Sequence, residues 1–258
     1  MIKVALSFDD GRKDNYRLAE EVLIPMQIPA TFNITTDYIM RMETEDILGL
    51  NLAMSKAEVI KLSENLLFEI AGHGKKHNNE YANLIGGIKQ LREWCNLDRI
   101  GVASPNSKLT SADLGNAIDT YKKDGIAYVR IGNRFNQTEF IKKCFRKLNR
   151  KIHSGWISVW VYKDSMLSKN DAYILNSIPI LHYNSLKEIK SIINNAVNMN
   201  RSCILMFHSV LKEGEEYYKD LWSWDFEQFQ LLCNYLKRLE KEKKLKICKT
   251  MDLVSDVY

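Results

Sequence analysis

Val4-Ala5-Leu6-Ser7-Phe8-Asp9-Asp10-Gly11 is an apolar, strand-like run that ends in two adjacent carboxylates and a glycine. Along a strand, neighbouring side chains point in different directions, so Asp9 and Asp10 need not share one task. One can bind a metal ion while the other takes a proton from water. The same residues also suit a plain Asp-Asp-Gly turn closing a surface strand. Taken by itself, the run leaves both readings open.

Two further stretches bear on the choice. His73-Gly74-Lys75-Lys76-His77 follows the strand-like Phe68-Glu69-Ile70-Ala71-Gly72. Imidazoles four residues apart can converge on one cation, on a helical turn or in a tight loop, and imidazole with carboxylate suits zinc or a similar divalent ion. The two lysines between them work against a cation, and surface histidines at this spacing also arise by chance. Downstream, Cys203-Ile204-Leu205-Met206-Phe207-His208-Ser209 is a buried-looking strand that delivers a histidine at its C-terminal end. A lone histidine there equally fits a hydrogen-bonded core or edge residue. Three strand ends bearing Asp-Asp, His-x-x-x-His and His are harder to separate from one site, because α/β enzymes keep their chemistry at such ends.

Apolar runs predict strands at 2–8, 30–34, 67–72, 99–103, 126–131, 157–162, 178–182 and 202–207. Helical spacing is read over Tyr16 to Leu23, Lys56 to Glu64, Tyr81 to Cys95, Ser111 to Lys123 and Leu186 to Asn198. Thr110-Ser111-Ala112-Asp113 reads as a capped helix start. Alternating strands and helices predict a parallel sheet with right-handed crossovers. Residues 132–175 fit the repeat poorly and suggest an elaboration over the site.

Ser7-Phe8-Asp9-Asp10-Gly11, Ala30-Thr31-Phe32-Asn33-Ile34, Glu69-Ile70-Ala71-Gly72-His73 with His77, and Leu205-Met206-Phe207-His208 resemble, in order and spacing, the motifs of polysaccharide deacetylases. These are metal-dependent amidohydrolases with a NodB-like domain, carbohydrate esterase family four. The resemblance spans residues 4 to about 209. It implies an α/β fold, an irregular seven-stranded (β/α) barrel. It also implies that Asp9 is the catalytic base, that Asp10, His73 and His77 ligate a divalent metal, and that His208 protonates the departing amine. Three ligands leave a position open for water and substrate, and the ion would polarise the amide carbonyl and acidify water. Zinc is the expected ion, with cobalt, nickel or manganese as alternatives. Leu205 or Met206 would line the small acyl pocket.

Two family features are missing. Where the family carries an Arg-Pro motif that orients the base, this chain has Val102-Ala103-Ser104-Pro105-Asn106-Ser107, with Arg99 and Arg130 as substitutes. The later Asp-Trp motif, which tunes the acid histidine, lacks a match: the region reads Ile131-Gly132-Asn133-Arg134-Phe135, with Asp164 and Asp171 as nearby acids. Metal binding is therefore the firmer expectation and substrate choice the weaker.

The 258 residues are 45% hydrophobic and 27% charged, as in a globular chain, and with four prolines and twelve glycines show no linker. The reading is a single catalytic domain over 1–258. No basic-then-apolar leader precedes the first strand, and no apolar stretch is long enough to span a bilayer. Five scattered cysteines (Cys95, Cys144, Cys203, Cys233, Cys248) suit reduced thiols better than a disulfide framework. The location expected from these features is the cytoplasm, where a nucleotide- or lipid-linked sugar precursor is a more natural substrate than a finished polymer.

A net charge of +5 does not make a nucleic-acid binder. The densest basic stretch, Lys142 to Lys151, carries Phe140, Ile141, Cys144, Phe145 and Leu148 at helical spacing and reads first as an amphipathic helix with a solvated face. Its other reading is a patch that meets phosphate, on an anionic lipid surface or on an activated sugar. Lys237 to Lys246 reads as a wet helix face. Trp222, Trp224, Trp156, Trp160 and Tyr162 offer flat rings for stacking on sugars, although Trp224-Asp225-Phe226 also begins a helix whose Phe229, Leu232, Leu236 and Leu239 suggest core.

Three functions follow. The first is a metal-dependent N-deacetylase acting on an N-acetylated sugar or glycan precursor. The second keeps the site but hydrolyses a non-sugar cyclic amide. The third is a non-catalytic glycan-binding member, which retention of Asp9, Asp10, His73, His77 and His208 argues against.

Overall fold

The structure, a computed structural model, describes residues 1–41, 52–115, 117–132, 140–168 and 173–254. Among these, seven parallel strands close into a barrel: β1 (Ile2–Phe8), β2 (Ala30–Ile34), β3 (Phe68–Gly72), β4 (Ile100–Ala103), β5 (Ile126–Gly132), β6 (Ile174–Pro179) and β7 (Cys203–Phe207). Each pairs with the next in sequence, and β1 closes the ring against β7 from Val4↔Cys203 to Phe8↔Phe207. The irregularity lies at β1. A short β8–β9 pair (Ser209–Leu211 and Ser223–Asp225) follows β7, and a last strand, β10 (Leu245–Cys248), enters beside β1. The N-terminal half of β1 pairs with β10, and only Ser7 and Phe8 pair with β2.

The helices α1 (Lys13–Leu18), α2 (Thr36–Met40), α3 (Lys56–Ser63), α4 (Tyr81–Cys95), α5 (Ser111–Gly115), α6 (Ile118–Lys123), α7 (Phe140–Ile152), α8 (Gly155–Tyr162), α9 (Leu186–Asn198) and α10 (Phe226–Lys241) fill the connections. The main core lies between barrel and helices. Phe8 is stacked between Phe32 and Phe207 at 5.4 Å and meets the edge of Phe229 at 5.9 Å. Burying each such ring is worth about 2 kcal/mol.

Period-two alternation turns the other residues of each strand inward. At the base of the barrel Ala5, Tyr128, Leu175 and Ile204 form an apolar plug with Leu167 and Cys248. Gly101 makes room for it: a Cβ there would lie 2.0 Å from the Tyr128 ring. Beside this plug the Glu69 carboxylate accepts from the Tyr128 hydroxyl (2.7 Å), the Thr31 hydroxyl (2.8 Å) and the Met251 N–H (2.9 Å). Ser7, Asn33, Arg130 and Ser177 follow above, all buried. The barrel interior is therefore polar directly below the C-terminal strand ends.

Three sequence expectations need correction. The strand expected at 157–162 is part of helix α8. A short, largely apolar run has no clear period to separate strand from buried helix, and Ser154 caps the helix by accepting from the Ile157 N–H. The strand expected at 178–182 is β6, displaced to Ile174–Pro179, because its inward Ser177 serves the polar interior and breaks the apolar run. The helix expected from Ser111 to Lys123 is two short helices, α5 and α6.

Helices α7 and α8 lie between β5 and β6 and are tied to the barrel layer by one carboxylate. Glu188, at the start of α9, completes a capping box with Ser185. It also accepts from Asn149 Nδ2 (2.6 Å) and Ser158 Oγ (2.8 Å), with His153 Nδ1 at 3.1 Å. This holds α7 in a fixed position beside the barrel mouth.

Candidate metal centre and active site

Strand β1 ends at Phe8, and the chain then leaves regular structure. Asp10 and Gly11 have φ of 78° and 77°, two successive left-handed residues. Aspartate tolerates this region better than most residues, and glycine carries no penalty there. A Cβ on Gly11 would also press on Ile39 and Ile34 at 3.1 and 3.2 Å. The turn brings Asp10 to the same barrel mouth that Asp9 reaches by strand alternation.

Arg12 folds back over the turn. Its Nε and Nη2 donate to Asp10 Oδ2 at 3.1 and 2.7 Å, and its Nη1 donates to Ser209 Oγ at 3.1 Å. The other carboxylate oxygen, Oδ1, is buried and has no hydrogen-bond partner among the described residues. It lies 3.5 Å from His73 Nε2 and 3.3 Å from His77 Nε2. His73 Nδ1 sits 3.0 Å from the Ala103 carbonyl, which can only accept. The proton of a neutral His73 is therefore on Nδ1, and its Nε2 lone pair faces Asp10.

One carboxylate oxygen and two imidazole nitrogens, all within 4.8 Å of one another, can converge on one cation. A buried oxygen without a partner is costly unless a cation or proton meets it. This donor set fits a divalent ion of the zinc, cobalt, nickel or manganese type. Electrostatics point the same way. Burial works against the Asp10 charge, yet Arg12, His73 and His77 hold its carboxyl well below the ordinary 3.8. Burial likewise opposes charge on His73, but Asp9 and Asp10 outweigh it and raise its pKa above 6.5.

Asp9 has different partners. Arg130, from β5, places Nη2 2.6 Å and 2.7 Å from the two carboxylate oxygens and donates from Nη1 to Ser177 Oγ at 2.8 Å. Asn33 Nδ2 donates to Asp9 Oδ1 at 2.9 Å. Burial would raise the Asp9 pKa, but Arg130, His73 and His208 overcome it and leave the carboxyl below 3.8. Asp9 is ionised, oriented and 4.0 Å from His73 Nε2.

His208 leaves the end of β7, its ring tilted against Trp222 with centroids 4.4 Å apart. Asn15 fixes its backbone by donating to the His208 carbonyl at 2.8 Å. Its Nδ1 is buried without a partner among the described residues. Burial pulls its pKa down to about 4, against the opposing pull of Asp10 and Asp9.

These residues open onto one cleft of about 640 Å³. Pro179, Leu181, Met206, Leu221 and Trp222 give it an apolar side, and Tyr38, Ser104, Asn106 and Ser107 a polar one. Lys143, Arg146 and Arg150 of α7 complete the wall.

The structure thus brings Asp9, Asp10, His73, His77, His208, Met206 and Trp222 to one place. It does not bring Leu205. Along β7, Ile204 and Met206 face the interior, so Leu205 faces the helices and is fully buried in the outer core. Of the two substitute arginines, Arg130 reaches Asp9, whereas Arg99 is exposed at the N-terminal end of β4, away from the mouth. Asp164 pairs with Lys142 on the surface, and Asp171 and residues 133–135 lie outside the described residues. Trp224 is core, its Nε1 donating to the Asn184 carbonyl at 2.8 Å. Trp160 packs on Phe145, Tyr162 is buried, and Trp156 is exposed away from the cleft. Arg12 and Ser177 were not singled out in sequence, and Asn33 was quoted only as part of the Ala30–Ile34 motif. Arg12 stands two residues after Asp10, and that proximity was the available signal.

No family model matches the chain, and no curated protein matches it. Solved structures do. A family 4 acetyl xylan esterase from Clostridium thermocellum, in complex with cobalt, is 14% identical over 97% of this chain and 89% of its own, with a TM-score of 0.49. A family 4 carbohydrate esterase from Bacillus anthracis is 15% identical over 97% and 81%, with a TM-score of 0.45. The deacetylase domain of BpsB from Bordetella bronchiseptica is 14% identical over 49% and 62%, with a TM-score of 0.41. The chain spans less than two thirds of that last structure. Polysaccharide deacetylases and family 4 carbohydrate esterases are therefore among the structures to which this chain is similar.

Proposed function

We propose that this chain is a metal-dependent amidohydrolase of the polysaccharide deacetylase family, which removes an N-acetyl group from an amino-sugar-containing glycan or glycan precursor. The observation that carries the reading is the buried, unpartnered Asp10 Oδ1 between His73 and His77, with the ionised Asp9 held beside it by Arg130. Asp10, His73 and His77 would hold the ion. When bound, it supplies the charge that polarises an amide carbonyl and makes water acidic enough to attack near neutral pH.

The protein's own groups do the rest. Asp9 accepts the proton from the attacking water, kept ionised and aimed by Arg130 and Asn33. His208, neutral in the resting site, faces the same cleft. As negative charge builds on the substrate oxygen, the local field raises the proton affinity of the imidazole, which takes up a proton from solvent in the cleft and passes it to the departing nitrogen. Met206, Leu221 and Trp222 provide an apolar wall suited to a methyl group. Arg130 stands where the base needs an arginine, so the missing Arg-Pro motif no longer favours a change of substrate. The five cysteines are free thiols, in keeping with a reducing compartment, and we place the protein in the cytoplasm.

Zinc-loaded protein is expected to release acetate from N-acetylated amino sugars and to leave cyclic imides intact, read by acetate assay and by ring-opening absorbance. Ring opening without acetate release would transfer the reading to the cyclic amide class. Neither reaction from metal-loaded protein would contradict both.

A further inference from the structure

We propose that the cationic face of α7 binds a phosphate group on the substrate, so that the sugar hydrolysed is a phosphorylated or phosphate-linked one. This rests on the deacetylase reading and names its substrate class.

Lys143, Arg146 and Arg150 are spaced i, i+3 and i+7, which places them within one arc of the helix. All three line the cleft that holds Asp9, Asp10 and His208. The carboxylates in that lining are Asp9 and Asp10, already engaged by Arg130 and Arg12. Of the α7 cations, Lys142 pairs with Asp164 outside this lining, and Arg150 packs on an aromatic ring. The Arg150 guanidinium lies 4.5 Å from the Tyr183 ring centroid, and Arg146 stands beside the buried Tyr162. A ring contact of the Arg150 kind orients a guanidinium without cancelling its charge. Asn149, on the same helix, is pinned by Glu188, so the cations are held at the mouth. A neutral polymer has no use for such a wall. Two guanidinium forks and an ammonium suit a phosphate, which accepts several charge-assisted hydrogen bonds.

The phosphate could belong to a soluble activated sugar or to a lipid carrier. The opposite face of α7 exposes Ile141, Leu148 and Ile152, at 61%, 51% and 53%. A lipid arm therefore belongs in the test.

The test is calorimetric binding of N-acetylglucosamine and of the same sugar phosphorylated on its anomeric oxygen. Three proteins are compared: wild type, Lys143→Gln/Arg150→Gln, and the control Lys147→Gln/Lys151→Gln. The control removes equal charge from exposed positions outside the cleft. Wild type and control should prefer the phosphorylated sugar by about tenfold or more, the preference shrinking with added salt, and the cleft variant should lose it. Equal binding of the two sugars by wild type would overturn the proposal. So would a preference that survives in the cleft variant, since it would then belong to the metal. Co-sedimentation with phosphatidylglycerol and with phosphatidylcholine vesicles separates the sources. Binding to the anionic vesicles alone assigns the phosphate to a lipid carrier, and no binding assigns it to a soluble sugar. Because binding and acetate release are separate readouts, phosphate preference without acetate release would sink the deacetylase reading alone, and acetate release without phosphate preference would sink this inference alone.

Discussion

Asp9→Asn protein should bind its metal normally and turn over substrate about 10²- to 10⁴-fold more slowly than wild type, the usual contribution of a general base. The asparagine keeps the shape of the carboxylate and leaves Asp10, His73 and His77 in place. It cannot accept the proton of the attacking water. The loss should fall on kcat with little change in KM, since Asp9 acts on water and not on the sugar. Elemental analysis alongside steady-state kinetics separates this from damage to the metal centre. A variant within tenfold of wild type would mean that another group takes the proton, and His208 would be the first to examine.

The second large effect concerns Arg130, which is 1% exposed and pairs with an equally buried Asp9. Arg130→Met fills a similar volume but leaves Asp9 ionised without its main partner. Breaking such a pair costs about 3–5 kcal/mol, measurable by chemical denaturation. The pH dependence should move as well. Burial raises the Asp9 pKa, and Arg130 is the largest influence holding it below 3.8. In the wild type, the stability this pair contributes is present above about pH 3.8 and is lost as pH falls through the lower folded pKa. Without Arg130 the carboxyl protonates at higher pH, so the acid limb of kcat/KM shifts upward. Arg99→Met, at the far end of the barrel from Asp9, should leave the acid limb unchanged. An unshifted acid limb in Arg130→Met would mean that the limb does not report Asp9.

The barrel's outer half was legible because Val4, Leu6 and Phe8 and their counterparts in β2, β3 and β7 form apolar runs of strand length. Its inner half was less so. Ser177 is a barrel-interior residue bonded to Arg130, and its polarity hid the strand that carries it. Helix α8 was misread for the opposite reason: every position is compatible with burial, so the run has no period. Among the site residues, Asp9, Asp10, His73, His77 and His208 each follow an apolar strand and could be read in order. Arg130 could be named but not chosen over Arg99, because only closure of the barrel brings β5 opposite β1. The basic stretch could be read as a helix, but which of its faces meets the cleft depends on how Glu188 pins Asn149 and Ser158. Leu205 was assigned to the cleft because a run of four apolar residues does not reveal which parity faces inward.

Metal content is the most direct test of the account. Wild type and His77→Ala would be dialysed, reloaded with zinc and assayed by elemental analysis. The His77 side chain is 20% exposed at the mouth, so its removal should spare the fold, which circular dichroism checks. The account predicts about one zinc ion per wild-type chain and a loss of tight binding in the variant. No bound metal in wild type, or equal metal in both, would contradict it.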